Sequence, residues 1–532
     1  MNNTKSHTNL LKIRLLSCFV LLLFVINCSK LYSQGSEIEM AHKFAEHSFN
    51  IQDYNFALEN YLQIYELDKK DININYRIGV CYTETNVNKT GGIPYLEFVV
   101  SHNNYPKEAD YYLGKAYLFN YQFHEAVEKL YEYKLSGNQA NLVAASDQLI
   151  AMAYNALEFI NQPKPVRFEL LDTTINSVNN DYRPLITSNG QKMFFTSDRR
   201  YIEETASNIK DIYMSEIKGD RWLKAQMLDI SSDNHDEVVG ISPNGDRLII
   251  DVNGEFIKNQ IRIAELKNKK YVLLPQNEVP AALNPPNSIQ RGACINNEGT
   301  MIIFSSNKLG GFGGFDLYKI TKKDKRTWSE AENLGSQINT EFDECYPSLS
   351  FDGQKLHFSS NGHSSIGGYD LFYSVFNMAD SSFQRPINHG FPISTPYDDI
   401  SISFNADESI AYLATTRNEG IGNLDVYKVY VGKSSTQPII IGGTVLVGDQ
   451  QASVPYTTDF IKVWATIYDP KGNLFSKYSP NEEGQFFITL VPGDYILDVR
   501  FDKTNEGYRE NLKFREGDDD YQERTIYLQL PR

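Results

Sequence analysis

Between Glu37 and Pro163 apolar side chains recur every three to four positions, the spacing of helices that bury one face. The stretch "DYNFALENYLQIYELDKKD" sets Phe56, Tyr61, Ile64 and Tyr65 near one face, with the small Ala57 where a neighbouring helix must come close. "YRIGVCY" (Tyr76 to Tyr82) and "YYLGKAYLFNYQFHEAVEKLYEY" (Tyr111 to Tyr133) recur 35 residues apart, aligning Gly79 with Gly114 and Tyr82 with Tyr117. In that register the glycine admits the second helix of a pair, and Ala126 fills the crossing. A last helix pair is expected over roughly Gln139 to Ile160, and the prolines of "NQPKPV" (Asn161 to Val166) end the helical part.

Beyond it the period falls to two. Short turn signals end at Gly190, Gly245, Gly299, Gly353 and Glu408, spaced 55, 54, 54 and 55 residues apart. Each lies between two alternating runs, such as "YPSLSF" and "KLHFSS", the pattern of a hairpin closed by a tight turn. A third strand follows, starting at Asp211, Asp316, Asp370 and Asp425; the second repeat has only "QIRIAEL" there. Several repeats then carry W-x-x-A and an L-G-x-x-I-N-T connection, as in "TWSEAENLGSQINT". Five sheets of about four strands at this period predict a five-bladed all-β propeller. The fifth repeat stops after its third strand, and "VRFELLD" (Val166 to Asp172) is a spare strand that would complete it. From residue 438 onward, alternating runs between Gly turns predict a small antiparallel sandwich of about seven strands.

The expected organisation is a leader over residues 1–33, a helical solenoid over 36–162, a propeller over 166–432 with strand 166–172 closing its last blade, and an all-β sandwich over 438–532. Two glycine-rich loops, "SSNKLGGFGGFDLYKI" and "SSNGHSSIGGYDLFYS", lie between second and third strands. A phosphate loop needs GxxxxGK[ST] leading into a helix, whereas here a strand follows and no lysine is placed. The glycines are therefore read as reversals at the rim, with Asp211, Asp316, Asp370 and Asp425 as structural groups that accept backbone N–H bonds there.

Charge narrows the partners. The chain holds 51 basic and 67 acidic side chains, a formal charge of −16, which argues against nucleic acid. Lys5, Lys12 and Arg14 precede the apolar run Leu15 to Ile26, and no acid occurs before Glu37, the pattern of a secretory signal too short to anchor as a span. Two processing routes compete. "VINC" presents Cys28 for lipidation, but Asn27 stands where a small residue is needed. Cleavage after Ser33 in "LYSQG" meets that requirement and is the expected route. With Lys5, Lys12, Arg14 and Lys30 removed, the exported chain carries about −20. Cys81, Cys294 and Cys345 show no metal spacing and read as buried thiols.

Catalytic signatures are missing from the pattern. There is no G-x-S-x-G elbow. "HEAVE" at His124 has Glu128 where a zinc site needs a second histidine, "HDE" (His235 to Glu237) precedes a strand, and "EGDDDY" at Glu516 lacks calcium-loop spacing. The chain is expected to be no enzyme and to need no cofactor or metal. Surfaces remain as partner-binding candidates. On the helical groove these are Asn73, Tyr76, Thr83, Tyr111 and Lys115, and on the propeller rim Phe312, Phe315 and Tyr369.

These motifs carry resemblances. L-G-x-x-Y followed by Ala126 resembles the tetratricopeptide repeat. D-x-R-P, F-x-S and G-G-x-D-L-Y resemble TolB-type, WD40-like propeller blades. "EEGQFFITLVPGDYILDV" with "EGY" (Glu506 to Tyr508) resembles the carboxypeptidase-regulatory-like domain, a non-catalytic module. In this order, over nearly the whole mature chain, the modules resemble the PorE-type multidomain component of the type IX secretion system in Bacteroidota. The order is specific; the single modules are widely reused. The resemblance implies a periplasmic, outer-membrane-associated scaffold whose partners are envelope proteins, among them outer-membrane secretion components. That group usually continues into an OmpA-like domain that grips peptidoglycan. This sequence ends at Arg532, so direct peptidoglycan contact is not expected. The alternative is a recognition module holding a glycan or peptide in the propeller funnel.

Overall fold

The computed structural model describes residues 38–532 except 86–87, 204–206, 220, 255–256, 258, 325–326, 378–381, 416–419, 432–438, 450, 457–462, 469–473, 479, 481–483, 491–492, 503–506, 516–520 and 531–532. The leader and Cys28 lie outside the described residues. Ala153 ends the first of two compact units, and all strands belong to the second.

The helices are α1 (38–50), α2 (Tyr54–Tyr65), α3 (Ile72–Glu84), α4 (Ile93–Val100), α5 (Glu108–Phe119), α6 (Phe123–Ser136) and α7 (Ala140–Ile160). Asp53 and Asp71 cap α2 and α3: their carboxylates accept from Phe56 N at 3.3 Å and from Asn73 N and Ile74 N at 2.8 and 3.0 Å. Each cap contributes about 1 kcal/mol. Buried Ala57, Tyr61, Ile64, Ile74, Ile78 and Cys81 form the core beneath these helices. A Cβ on Gly79 would lie 2.4 Å from Leu96 Cγ of α4, and one on Gly114 2.7 Å from Leu130 Cγ of α6. The two aligned glycines thus admit equivalent leucines. The expected last helix pair is instead the single 21-residue helix α7, because no glycine or proline interrupts Ala140–Ile160.

In the second unit, β1 (Val166–Leu170) precedes five sheets. The first holds β2 (Asp181–Ile186), β3 (Lys192–Ile202), β4 (Ser207–Lys218), β5 (Arg221–Trp222) and β6 (Gln226–Met227). The second holds β7 (His235–Ile241), β8 (Arg247–Asn253), β9 (Gln260–Lys267) and β10 (Lys270–Leu273). The third holds β11 (Gln290–Ile295), β12 (Met301–Ser306), β13 (Asp316–Thr321) and β14 (Glu332–Asn333). The fourth holds β15 (Glu344–Leu349), β16 (Lys355–Ser360), β17 (Asp370–Asn377), β18 (Ser382–Phe383) and β19 (Ile387–Asn388). The fifth holds β20 (Ile402–Phe404), β21 (Ile410–Thr415) and β22 (Asp425–Val431), and β1 is its outer strand, antiparallel to β22 from Val166↔Val431 to Leu170↔Tyr427.

Contacts between neighbours close these sheets into a ring. Val238 N donates to Thr196 Oγ1 at 3.2 Å, Ser305 Oγ to Glu344 O at 2.7 Å, and Ile186 N to Ser403 Oγ at 2.9 Å, the last joining first sheet to fifth. The innermost strands of all five line one cavity of about 30 Å³, room for a water molecule or two. The arrangement is β-propeller-like.

The I-N-T asparagine has a clear task. Asn339 Oδ1 accepts from Leu317 N at 2.7 Å and its Nδ2 donates to Leu317 O at 3.0 Å, so one side chain stands in for a strand peptide. Asn176 does the same for Val426 (2.8 and 3.0 Å), and Asn284 for Ile261 (2.7 and 3.0 Å). Asn339→Ala would strand two buried backbone groups, a cost of about 3 kcal/mol that should appear in the urea midpoint of the sheet-containing unit. An unchanged midpoint would show the pairing to be dispensable.

Among the described residues the C-terminal part holds eight strands, against about seven expected: β23 (Ile439–Asp449), β24 (Ala452–Pro455), β25 (Val463–Tyr468), β26 (Leu474–Tyr478), β27 (Gln485–Leu490), β28 (Gly493–Phe501), β29 (Gly507–Phe514) and β30 (Tyr521–Leu528). Two four-stranded sheets share one core, with Val445, Ile488 and Ile526 from one and Ile467, Leu497 and Phe514 from the other. One pair departs from the antiparallel expectation: β30 runs parallel to β23 from Ile440 to Val447, because first and last strands meet without a turn between them.

Candidate functional site at the mouth of the ring

Strands joined by hairpins alternate in direction, so the starts of β2, β7, β11, β15 and β20 emerge on the same face as the loops between second and third strands. On that face a buried acid, held by the residue four positions earlier, stands at or within three residues of the start of four inner strands. Asp181 accepts from Ser177 N and Oγ (2.6 and 2.8 Å), Glu344 from Thr340 N and Oγ1 (2.8 and 2.7 Å), and Asp399 from Thr395 N and Oγ1 (2.6 and 2.9 Å). Asp236 uses Ser232 in the same way.

The third-strand aspartates sit beside these acids. Asp316 accepts from Phe312 N (2.6 Å), Gly313 N (3.0 Å) and Asn333 Nδ2 (2.7 Å). Asp425 accepts from Ile421 N and Gly422 N at 2.7 and 3.0 Å, and Asp370 from Ile366 N. Asp211 differs: the first sheet has Arg200 at this corner, and its guanidinium binds Asp211 through Nε and Nη2 at 2.6 and 2.9 Å.

Each third-strand aspartate also faces the inner acid of the next sheet: Asp211 meets Asp236, Asp316 meets Glu344, Asp370 meets Asp399, and Asp425 meets Asp181. The third strand that starts without aspartate, at Gln260, precedes β11, which has Gln290 where the other four inner strands have an acid at or near their start. Burial, reinforced by the facing carboxylate, pushes Glu344 up to about 7 and Asp370 well above the usual carboxylate range. None of these inner acids is expected from sequence to carry a site, although Asp236 lies in "HDE" (His235 to Glu237) and the "DE" pair recurs at Asp343 and Glu344. Their signal was there, as an acid four residues after Ser or Thr, recurring just past each I-N-T connection or its equivalent.

Toward the ring axis, each of the first four inner strands carries a bulge after its first residues. Two non-glycine residues there take left-handed backbone, Arg183 (φ 52°) and Tyr346 (φ 51°). The Arg183 guanidinium lies 4.4 Å from the Tyr346 ring centre, donates to Tyr346 Oη at 2.9 Å and pairs with Glu237, which also takes Lys210 at 2.7 Å. First and fourth sheets are not ring neighbours, so Arg183 reaches across the mouth. Burial pushes Glu237 up, but Arg183 and Lys210 outweigh it and hold the carboxyl below its ordinary range. Beside it, burial and then Glu237 push Asp251 up to about 6, and among the described residues its Oδ1 has no hydrogen-bond partner, nor has Tyr182 Oη. On the other side Arg291 donates to Tyr369 Oη at 2.9 Å, and that hydroxyl donates to Asp343 Oδ2 at 2.5 Å. Most of the mouth's charged groups thus spend their charge on one another.

The apolar groups point outward. On this face Val178, Tyr201, Ile289, Leu309, Phe312 and Tyr397 are exposed, Leu309 at 99% and Val178 at 80%. Acids Glu203, Asp233, Glu341 and Asp398 stand exposed among them.

The residues singled out from sequence separate accordingly. Phe312 is exposed, whereas Phe315 is only 8% exposed, with the Arg291 guanidinium 4.1 Å from its ring centre, so it offers no rim surface. Tyr369 belongs to the Arg291–Asp343 network. In the helical unit Asn73 is exposed, Tyr76 is half-buried with its ring 6.3 Å from Tyr112, and Lys115 pairs with Glu84 at 2.7 Å. Thr83 and Tyr111 are buried and present no groove surface: the Thr83 hydroxyl turns back on Gly79 O at 2.8 Å, and Tyr111 packs against Tyr133. His235 Nδ1 accepts from Lys210 N at 3.2 Å. The Cys345 thiol is pushed up to about 12 by burial, which keeps it protonated.

No family model matches the chain, and no curated protein does. Among solved structures it is similar to a glycoside hydrolase (9% identity, 53% of this chain and 96% of that one, TM-score 0.35). It is also similar to an alpha-L-arabinofuranosidase from Fusarium graminearum (13% identity, 51% and 98%, TM-score 0.30) and to prolyl endopeptidases (10% identity, 73% and 59%, TM-score 0.24). Likenesses this remote have no bearing on the chemistry of this chain.

Proposed function

We propose that the chain is a non-enzymatic, exported scaffold of the cell envelope, built from a tetratricopeptide-type stack, a five-bladed propeller and a carboxypeptidase-regulatory-like sandwich, and that it serves a type IX secretion or gliding machine. The observation that carries the scaffold reading is the set of exposed apolar side chains on the face of a mouth whose charged groups are largely satisfied among themselves. Several large exposed apolar side chains on one face, with acids among them, suit docking of a protein. The acids Glu203, Asp233, Glu341 and Asp398 among them fit a folded envelope protein that presents basic residues around an apolar centre. The order of the modules supports the secretion assignment.

Leu309→Ser with Phe312→Ser tests this reading. Both side chains are exposed, so folding should be unchanged while recovery of crosslinked envelope partners from the native host falls at least tenfold. Undiminished recovery would move the interface off this face. The alternative, a glycan or peptide bound in the funnel, draws on the unpartnered Tyr182 Oη and Asp251 Oδ1. The Arg183–Tyr346 contact across the mouth and the small cavity of about 30 Å³ weigh against it.

A further inference from the structure

Close approaches of innermost strands join β2 to β7, β7 to β11, β11 to β15 and β2 to β20, and none of comparable extent joins β15 to β20 among the described residues. The junction of fourth and fifth sheets is held largely by side chains instead: Leu371 shares a buried apolar cluster with Ile402, Leu413 and Val429, and a histidine pair adds a second set of contacts. His357 Nδ1 lies 3.2 Å from His389 Nε2, with the imidazoles stacked 5.3 Å apart at 21°. Phe404 of β20 covers both rings, at 4.7 and 5.6 Å. Glu408, in the turn after β20, reaches over to Lys355 and lies 3.5 Å from His357 Nε2.

The backbone marks Glu408 as chosen for its side chain. Four hairpin turns place a glycine in left-handed conformation, at φ 69° (Gly190), 74° (Gly245), 67° (Gly299) and 70° (Gly353). The fifth turn holds Glu408 at φ 56°, where a side chain costs about 1 kcal/mol. That strain is offset only if the carboxylate has a use, and its contacts are Lys355 and His357.

We propose that the junction between the fourth and fifth sheets is a pH-operated seam, shut while the stacked His357–His389 pair is neutral and latched by Glu408, and loosened when the pair takes up a proton. A proton taken up in this slot would face cations: Lys355 and Lys164 both bear on His389, whose ring lies 5.1 Å from that of Tyr373. Among the described residues, Glu408 is the acid that faces the pair from the fifth sheet. Burial holds both imidazoles below their ordinary range, His389 well below it. A base so held takes its proton more readily once the seam opens. The shut state is therefore unpenalised above about pH 6.5 and loses stability as pH falls below it, by up to tenfold per pH unit for each histidine. The opposite end of the seam works the other way. Asp370 faces Asp399 and, more distantly, Asp398 there, and burial raises it, so acid strengthens that end. Opening should therefore begin at the histidine end.

Amide hydrogen exchange on the full chain tests this, with rates corrected for intrinsic pH dependence. Between pH 7.5 and 5.5 protection at Leu356, His357 and Phe404 should fall roughly ten- to a hundredfold, while Ile249 and Ile250 in the second sheet keep theirs. The double variant His357→Gln, His389→Gln should lose the pH dependence. Equal loss in both sheets, or pH dependence that survives the double variant, would overturn the proposal. If that variant does not fold, histidine proton shifts in the unaltered chain decide. Midpoints below about pH 5.5 support the seam, and midpoints at or above the free value of about 6.5 overturn it. Glu408→Gly, which restores the glycine of the sibling turns, should stay folded and show lowered protection at the same amides already at pH 7.5; unchanged protection would remove the latch.

Discussion

Replacing Val166–Leu170 with a Gly-Ser segment of equal length is expected to destroy the cooperative unfolding of the ring. Five residue pairs join this strand to β22, and Val166 and Phe168 pack on the cluster of Leu371, Ile393, Ile402, Leu413 and Val429. Losing the ladder and these half-buried side chains costs roughly 5 kcal/mol, comparable to the whole stability of a typical domain at about 5–15 kcal/mol. The replacement also bares the hydrogen-bonding edge of β22, so concentration-dependent association should accompany the loss. Thermal unfolding followed with size-exclusion chromatography reads both effects. A melting temperature within about 2 °C of the parent would mean that β1 does not close the ring.

The second large effect is expected at Gly240. A Cβ there would lie 1.8 Å from the backbone oxygen of Ala293 in the next sheet and 2.9 Å from its carbonyl carbon. The obstacle is backbone in a strand, so nothing swings aside, and second and third sheets must separate. Gly240→Ala should cost more than about 3 kcal/mol. Gly190→Ala is the internal control: its Cβ meets nothing within 4 Å, but φ is 69°, so the expected cost is about 1 kcal/mol. Equal urea midpoints for the two variants would show that the junction yields more easily than the distances imply.

What the sequence disclosed and what it hid divide by the range of the interaction. Turn glycines and the I-N-T asparagine are local or near-local, so Gly190, Gly245, Gly299 and Gly353 stand at regular intervals where hairpins close. The absence of a break within Ala140–Ile160 was equally visible, and expecting a helix pair there followed the repeat's habit against the residues. Thr83, Tyr111 and Phe315 were placed on surfaces from position alone. Their burial depends on where each side chain turns, which neighbouring elements decide. The parallel β23–β30 pair and the Arg183–Tyr346 contact join distant parts of the chain with no turn to announce them. The facing acids lie between: each partner recurs with the repeat, but their meeting crosses a repeat boundary.

The closing strand has a consequence in time. Val166 and its partner Val431 are 265 residues apart, so β1 leaves the ribosome long before anything exists for it to pair with. At about 5–20 residues per second that interval is roughly 15–50 s, during which the growing sheets form an open arc. A flat apolar strand exposed for so long would invite neighbouring chains. Arg167 and Glu169 alternate with Val166, Phe168 and Leu170, and both charges still face outward in the finished ring, so the charges that tolerate solvent at the end also guard the strand while it waits.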